Sequence, residues 1–436
     1  MIKSRVLTLT IGTAAFLLLA TRVIPIKTAA APADGQQSAG SVAQRQGGEE
    51  PRAVPQKGGQ EQNGQYEPVV GWPKQVHKGW VGGSNQGVFA ESPDRVYIVQ
   101  RGWLPEMERP KNTPVPQFGP SLSFPVNQVP FRNASQGPVA SPPSYTSEQQ
   151  LTKDTVDFLW KDCIYVVNRN GEKIEDWTQW DKLLKRPHAI YQNPYDPEKH
   201  VWVVDDAGHV VHKFTHDGKT KVLTIGTQDT PGNDDKHFNR PTFLAWLPDS
   251  TMFVADGYAN TRVVKFDKDG KFLLTWGQKG SNTVGPTGVA ETRPGYFNTV
   301  HGIAVDARRR VYVSDRSNRR IQVFDENGRF LDEWTIGESP AHIYSIFMAA
   351  DQTLWGVDSG TMRVVSWDLT GKFKYGFGYL GDPPGGLFGP HQMSVDQEGN
   401  FYVSQVSNGY TAKFRPMRGA EAAKLVGKPF GFSWAR

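Results

Sequence analysis

The sequence predicts an all-β protein built as a single six-bladed propeller, and three observations predict it. Hairpin turns recur around Gly171, Gly218, Gly270, Gly328 and Gly371, each an Asp-Gly, Asn-Gly or Thr-Gly pair between apolar strands. Such pairs supply the positive φ that a tight hairpin turn requires. Upstream of each turn lies a strand of alternating apolar residues: YIVQR, VWVVDD, MFVADG, VYVSDR and LWGVDS, with a sixth copy, FYVSQV, at Phe401–Val406. Past the N-terminal region, no segment shows the 3.6-residue apolar stripe of a long helix. The turn glycines are 47, 52, 58 and 43 residues apart, a period that suits propeller blades with loops of variable length.

Taken in order, the chain opens on a targeting pattern. Lys3 and Arg5 precede the apolar run Val6–Ala20, and small residues follow at Thr28–Ala31. Residues 1–31 are therefore expected to be a secretory signal peptide that exports the protein to the periplasm or beyond. Arg22 and Lys27 follow the run, so an uncleaved membrane anchor is the alternative. Residues 32–65, rich in Gln, Gly, Ala and Glu, have the composition of a disordered linker. The propeller is expected over 66–436. Its last copy lacks a clear outer strand, so residues near Tyr66 to Trp80 are expected to supply it and close the ring, hiding the strand edges. A Pro- and Ser-rich insert at 104–152 interrupts the first blade and is expected on one face of the ring.

Composition agrees. The 436 residues include 45 Gly, 31 Pro and 13 Trp, the turn formers and large aromatics of many short strands. Net charge is +5 with both signs interspersed, and the only basic block is Arg308–Arg310, a solvated turn rather than a nucleic-acid surface. Neither a nucleic acid nor a stable membrane partner is expected, and a closed ring leaves a monomer. The single cysteine, Cys163, has no partner for an internal disulfide and reads as a small buried residue. Asp205, Asp256, Asp315 and Asp358 recur at strand ends as turn acceptors, Trp276 and Trp334 read as core, and His200, His209, His212, His216 and His237 as solvated.

The chemistry-bearing pattern is a set of three histidines. His188, His301 and His391 open equivalent strands in every second unit: PHAIYQ, VHGIAV and PHQMSV. In a six-membered ring, alternate units set three imidazoles about 120° apart around one axis. Three neutral nitrogen ligands leave a coordination position open for water or substrate, as catalytic zinc sites do.

From Gly87 to Phe414 the chain resembles the NHL-repeat propellers and, within them, the peptidyl-α-hydroxyglycine α-amidating lyases. The residues that carry the resemblance are IGTQDTPGNDDKHFNRPT followed by MFVADGYANTRVVKF, FNTVHGIAV followed by VYVSDRSNRRIQVF, and FGPHQM. It implies Zn²⁺ on His188, His301 and His391, and Tyr258 as the base that takes the substrate hydroxyl proton. It further implies Arg101 and Arg316 on the substrate carboxylate. A Ca²⁺ ion is implied near the backbone of Val88 and Ile190. The substrate implied is a small carboxylate or a peptide C-terminus, cleaved from carbinolamide to amide and glyoxylate. The chain departs from the family around the last histidine: Gly389 and Gln392 stand where the family has Met and Asp, and the loss of the carboxylate weakens the calcium expectation. An NHL propeller that binds a protein, peptide or glycan on its top face, without turnover, is the other function class consistent with the sequence.

Overall fold

A computed structural model describes residues 62–106, 159–280, 291–337, 340–381 and 383–435. All belong to the second of two units, Glu50–Arg436; the first unit, Met1–Glu49, with the expected signal peptide, lies outside the described residues, as do residues 107–158, which include 107–152 of the insert. Among the described residues no helix is long and apolar enough to cross a membrane.

Six four-stranded antiparallel sheets follow one another along the chain as blades. Their innermost strands are Asn85–Ser92, Pro187–Gln192, Pro241–Trp246, Val300–Val305, Ile343–Met348 and Pro390–Val395, numbered here as blades 1 to 6. Blades 1 to 5 each run outward through the strand read in the sequence as alternating, then through the hairpin with its turn glycine. The alternation does not translate into one wet face. All five residues of Met252–Asp256 and of Val311–Asp315 are buried, because neighbouring blades cover both faces of each sheet. Alternating exposure appears only in outer strands such as Phe272–Trp276. The same packing overturns the solvated reading of His212 and His200, which are buried on or beside inner strands of blade 2.

The ring is closed by Tyr66–Pro68, which pairs with Tyr410–Pro416 as the outer strand of blade 6. The closing strand is shorter than expected from the sequence. Pro68 has no N–H to continue a ladder, and Trp80–Gly82 pairs instead with Trp103–Pro105. Residues 62–65, placed in the linker by composition, form a turn in which Gln65 is buried against Glu421. The insert leaves blade 1 between its second and third strands, and its ends are pinned together by a bridge between Trp103 and Leu159. Cys163 is buried.

The strand-end aspartates act as backbone acceptors. Asp205 takes the N–H groups of Lys185 (2.6 Å) and Arg186 (2.8 Å), Asp256 that of Asn239 (2.9 Å), Asp315 that of Asn298 (2.7 Å) and Asp358 that of His342 (2.8 Å). Each carboxylate thereby ties the entry of an inner strand to its own blade, and it is at this entry that the histidines sit.

Candidate metal centre

Every inner strand has an irregularity in its first three residues, where the register to the second strand slips. A β-bulge of this kind leaves a residue outside the ladder and re-aims its side chain. His188, His301 and His391 are each the second residue of their strands and lie within these slips, in blades 2, 4 and 6. The blades between them contribute something different: the bulge carbonyls. His188 Nδ1 donates to Thr242 O of blade 3 (2.9 Å), His301 Nδ1 to Tyr344 O of blade 5 (2.6 Å), and His391 Nδ1 to Gln86 O of blade 1 (2.6 Å).

A carbonyl oxygen only accepts, so Nδ1 carries the hydrogen on all three rings and Nε2 bears the lone pair. Burial keeps the rings neutral. It lowers the pKa of His188 and His301 well below the ordinary value, helped by the other histidines, Arg101 and Arg316, and lowers that of His391 to about 3. The rings form a compact triangle with centroids 4.6, 5.2 and 5.4 Å apart, over the buried ring of Phe243, which lies 5.1 to 5.3 Å from all three. Their ligand atoms fall within 4.8 Å of one another, and His391 Nε2 is buried without a hydrogen-bond partner. Three buried neutral nitrogens of fixed tautomer, one of them orphaned, fit a metal ion; the backbone carbonyls behind them are the outer-shell partners that metal-ligating histidines require.

Tyr258 stands at this centre. Its hydroxyl lies 2.9 Å from His301 Nε2 and 3.1 Å from His188 Nε2. Burial raises the phenol pKa, Asp206 adds to the rise, and Arg316 and Arg101 oppose it. Arg316 places its guanidinium carbon 5.2 Å from the Tyr258 ring centre and 4.7 Å from that of Tyr344. Arg101 is buried beside His188, donating to Pro187 O (3.0 Å) with Asp206 at 3.5 Å. Asp206 also holds Arg186 at 2.5 Å and lies 3.6 Å from Arg240, which stacks 4.6 Å from the Tyr258 ring centre. Burial alone would raise the Asp206 carboxyl, but Arg186, Arg101 and Arg240 outweigh it and hold it below the usual range. The structure therefore brings together all six side chains expected from the sequence. Arg186, Asp206, Arg240, Phe243 and Tyr344 were not singled out. Of these only Arg240 carried a signal, within HFNRPT.

Val88 and Ile190 lie on the inner strands of blades 1 and 2, and the surroundings of the Ile190 carbonyl do not fit calcium. The Gln392 amide nitrogen donates to Ile190 O (2.8 Å) and its oxygen accepts from Ile190 N (3.2 Å). A cation at that carbonyl needs oxygen lone pairs turned toward it, whereas here an N–H group points at it. Among the described residues the tri-histidine is the only cluster of three or more such ligands.

The family profile described as NHL repeat matches residues 297–324, a span that contains His301 and Arg316. Peptidyl-glycine alpha-amidating monooxygenase A of Xenopus laevis is 30% identical over 268 residues, covering 60% of this chain and 28% of that protein. Peptidyl-alpha-hydroxyglycine alpha-amidating lyase 1 of Drosophila melanogaster is 36% identical over 169 residues, 38% of this chain and 29% of that protein. NHL repeat-containing protein 3 of Mus musculus is 32% identical over 164 residues, covering 36% and 44%. The chain thus spans less than half the length of each of these relatives. It is a six-bladed propeller with a match to the NHL repeat, and it resembles the peptidyl-α-hydroxyglycine α-amidating lyases.

Proposed function

We propose that this protein is an exported zinc-dependent lyase that cleaves a hydroxyglycine carbinolamide into an amide and glyoxylate. The observation that carries the reading is the Tyr258 hydroxyl within hydrogen-bond distance of two of three convergent Nε2 atoms. A base and a ligand set share one point, flanked by guanidinium groups. The N-terminal pattern of Lys3, Arg5 and the apolar run supports export.

His188, His301 and His391 would hold the zinc, which supplies Lewis-acid charge that acidifies a neighbouring hydroxyl. Arg316, with no hydrogen bond or ion pair to its side chain among the described residues, takes the substrate carboxylate, and Arg101 adds positive charge behind it. Tyr258, as phenolate, accepts the proton of the substrate hydroxyl. The oxygen's electron pair forms the carbonyl of glyoxylate as the C–N bond breaks, and its electrons go to nitrogen. Tyr258 then returns the proton to that nitrogen, so no water is consumed and the amide leaves neutral. The substrate is a small carboxylate or a peptide C-terminus extended by hydroxyglycine.

Elemental analysis of the purified protein beside His301→Ala, with glyoxylate release from a hydroxyglycine peptide, tests this. About one zinc per chain, lost in the variant together with glyoxylate release, is expected. A protein that takes up no metal after zinc loading, or that binds zinc but never releases glyoxylate, would leave a binding propeller instead.

A further inference from the structure

Arg240 contributes positive charge that the proposed reaction does not use. Its guanidinium stacks on Tyr258, 4.6 Å from the ring centre, and Arg316 lies 5.2 Å from the same ring centre. The backbone is fixed on both sides: Arg240 N–H donates to His209 Nδ1 (3.2 Å), and Arg240 O accepts from Tyr258 N–H (3.2 Å). Two residues on, the carbonyl of Thr242 sets the tautomer of His188. The side chain is 35% exposed, yet its Nε is buried without a hydrogen-bond partner. The acidic group beside it among the described residues, Asp206 at 3.6 Å, is already held more closely by Arg186 at 2.5 Å and shared with Arg101.

The Asp206 carboxylate is thus shared among three guanidinium groups, and Arg316 adds a fourth beside Tyr258. A single substrate carboxylate satisfies Arg316 and leaves Arg240 with an unused buried donor. A buried charged donor without a partner is costly, and beside the Tyr258 ring it is a group that a bound anion can complete. We propose that Arg240 is a specificity-determining residue that binds a second anionic group. The preferred substrate is then a carbinolamide dianion, such as hydroxyglycine joined to an acidic residue, rather than a neutral acyl chain. This rests on the lyase reading for where the first carboxylate lies.

The test compares two hydroxyglycine peptides that differ only in Glu or Gln before the hydroxyglycine, on the zinc-loaded protein, Arg240→Gln and Arg240→Lys. The Glu peptide is expected to show a KM roughly tenfold lower than the Gln peptide. Arg240→Gln should bring that ratio close to one, and Arg240→Lys should keep most of it. Equal KM values in the unsubstituted protein, or a ratio that survives Arg240→Gln, would overturn the assignment. If neither peptide turns over, the lyase reading fails, and calorimetric titration with succinate and with butyrate decides the Arg240 question alone. Tighter succinate binding that Arg240→Gln abolishes supports it, and equal binding of the two acids rejects it.

Discussion

Tyr258 has one hydrogen to donate and two imidazole nitrogens within 3.1 Å, so at most one of them is satisfied at a time. That frustration is relieved if a cation takes the nitrogens and the phenol gives up its proton. Tyr258→Phe removes the oxygen but no ligand, and it should retain zinc while glyoxylate release falls by about 10²- to 10⁴-fold; loss of zinc in this variant would make the tyrosine a ligand rather than a base. A second buried group reports on the ring itself. His212, buried in blade 2 with Nδ1 3.0 Å from Thr224 Oγ1, has its pKa lowered to about 3 by burial, with Lys221 adding to the fall. Below about pH 6.5 the unfolded chain binds a proton that the folded chain refuses, so stability present above that pH drains away as pH falls toward 3, by up to about 1.4 kcal/mol per pH unit. Chemical denaturation at pH 7 and pH 5 should therefore show the unsubstituted protein losing about 2 kcal/mol more than His212→Gln. Equal losses would mean that His212 is protonated in the fold.

At the scale of the element, the hairpin turn does two jobs, and the sequence disclosed one of them. The Asn-Gly and Asp-Gly pairs announced positive φ, and Gly371 indeed sits at φ +82°. What the pairs did not announce is that the turn tip docks on the preceding blade: a Cβ at Gly371 would lie 2.5 Å from Trp334, and Gly328 meets Trp276 in the same way. The tryptophans read as core are the seats into which the next turn fits. Gly399 is a useful contrast, with φ +81° but no atom nearer than 3.6 Å to its virtual Cβ. Gly399→Ala should cost about 1 kcal/mol from backbone strain alone, and Gly371→Ala about 2 to 3 kcal/mol, since Trp334 must also move. Urea midpoints for the two variants separate strain from clash, and equal costs would show that the turn does not bear on Trp334. The bulge at the start of each inner strand was likewise only half legible. Its histidines stood out by period, whereas the partners they need are carbonyls of Gln86, Thr242 and Tyr344, which carry no side-chain signature.

In the whole molecule, alternation organises the centre: even blades supply imidazoles, and odd blades supply the carbonyls that orient them. A repeating sequence shows such a pattern because each blade presents the same position to the same axis. It hides whatever joins loops of different blades without repeating. Arg186, Asp206 and Arg240, which join Arg101 across blades 1 to 3, were missed for that reason, and so was the reach of Gln392 in blade 6 to Ile190 in blade 2. The three histidines come from blades 2, 4 and 6 of a closed ring, and closure rests on a three-residue strand. Tyr66 is its anchor: fully buried, 5.6 Å from Phe377 of blade 5 and 5.8 Å from Phe401 of blade 6, with its hydroxyl accepting Val426 N–H at 2.8 Å. Truncating a buried aromatic of this size costs about 3 to 5 kcal/mol, and here the loss falls on the one seam where first and last strands meet. Tyr66→Ala should lower the thermal midpoint and free the edge Tyr410–Pro416 to pair between molecules. Light scattering during heating should then rise at lower temperature in the variant than in the unsubstituted protein. Zinc content at 20 °C should fall with it if opening the seam disperses the three histidines, and a variant that melts early yet keeps its full metal would show the centre to be held by the blades pairwise rather than by the closed ring.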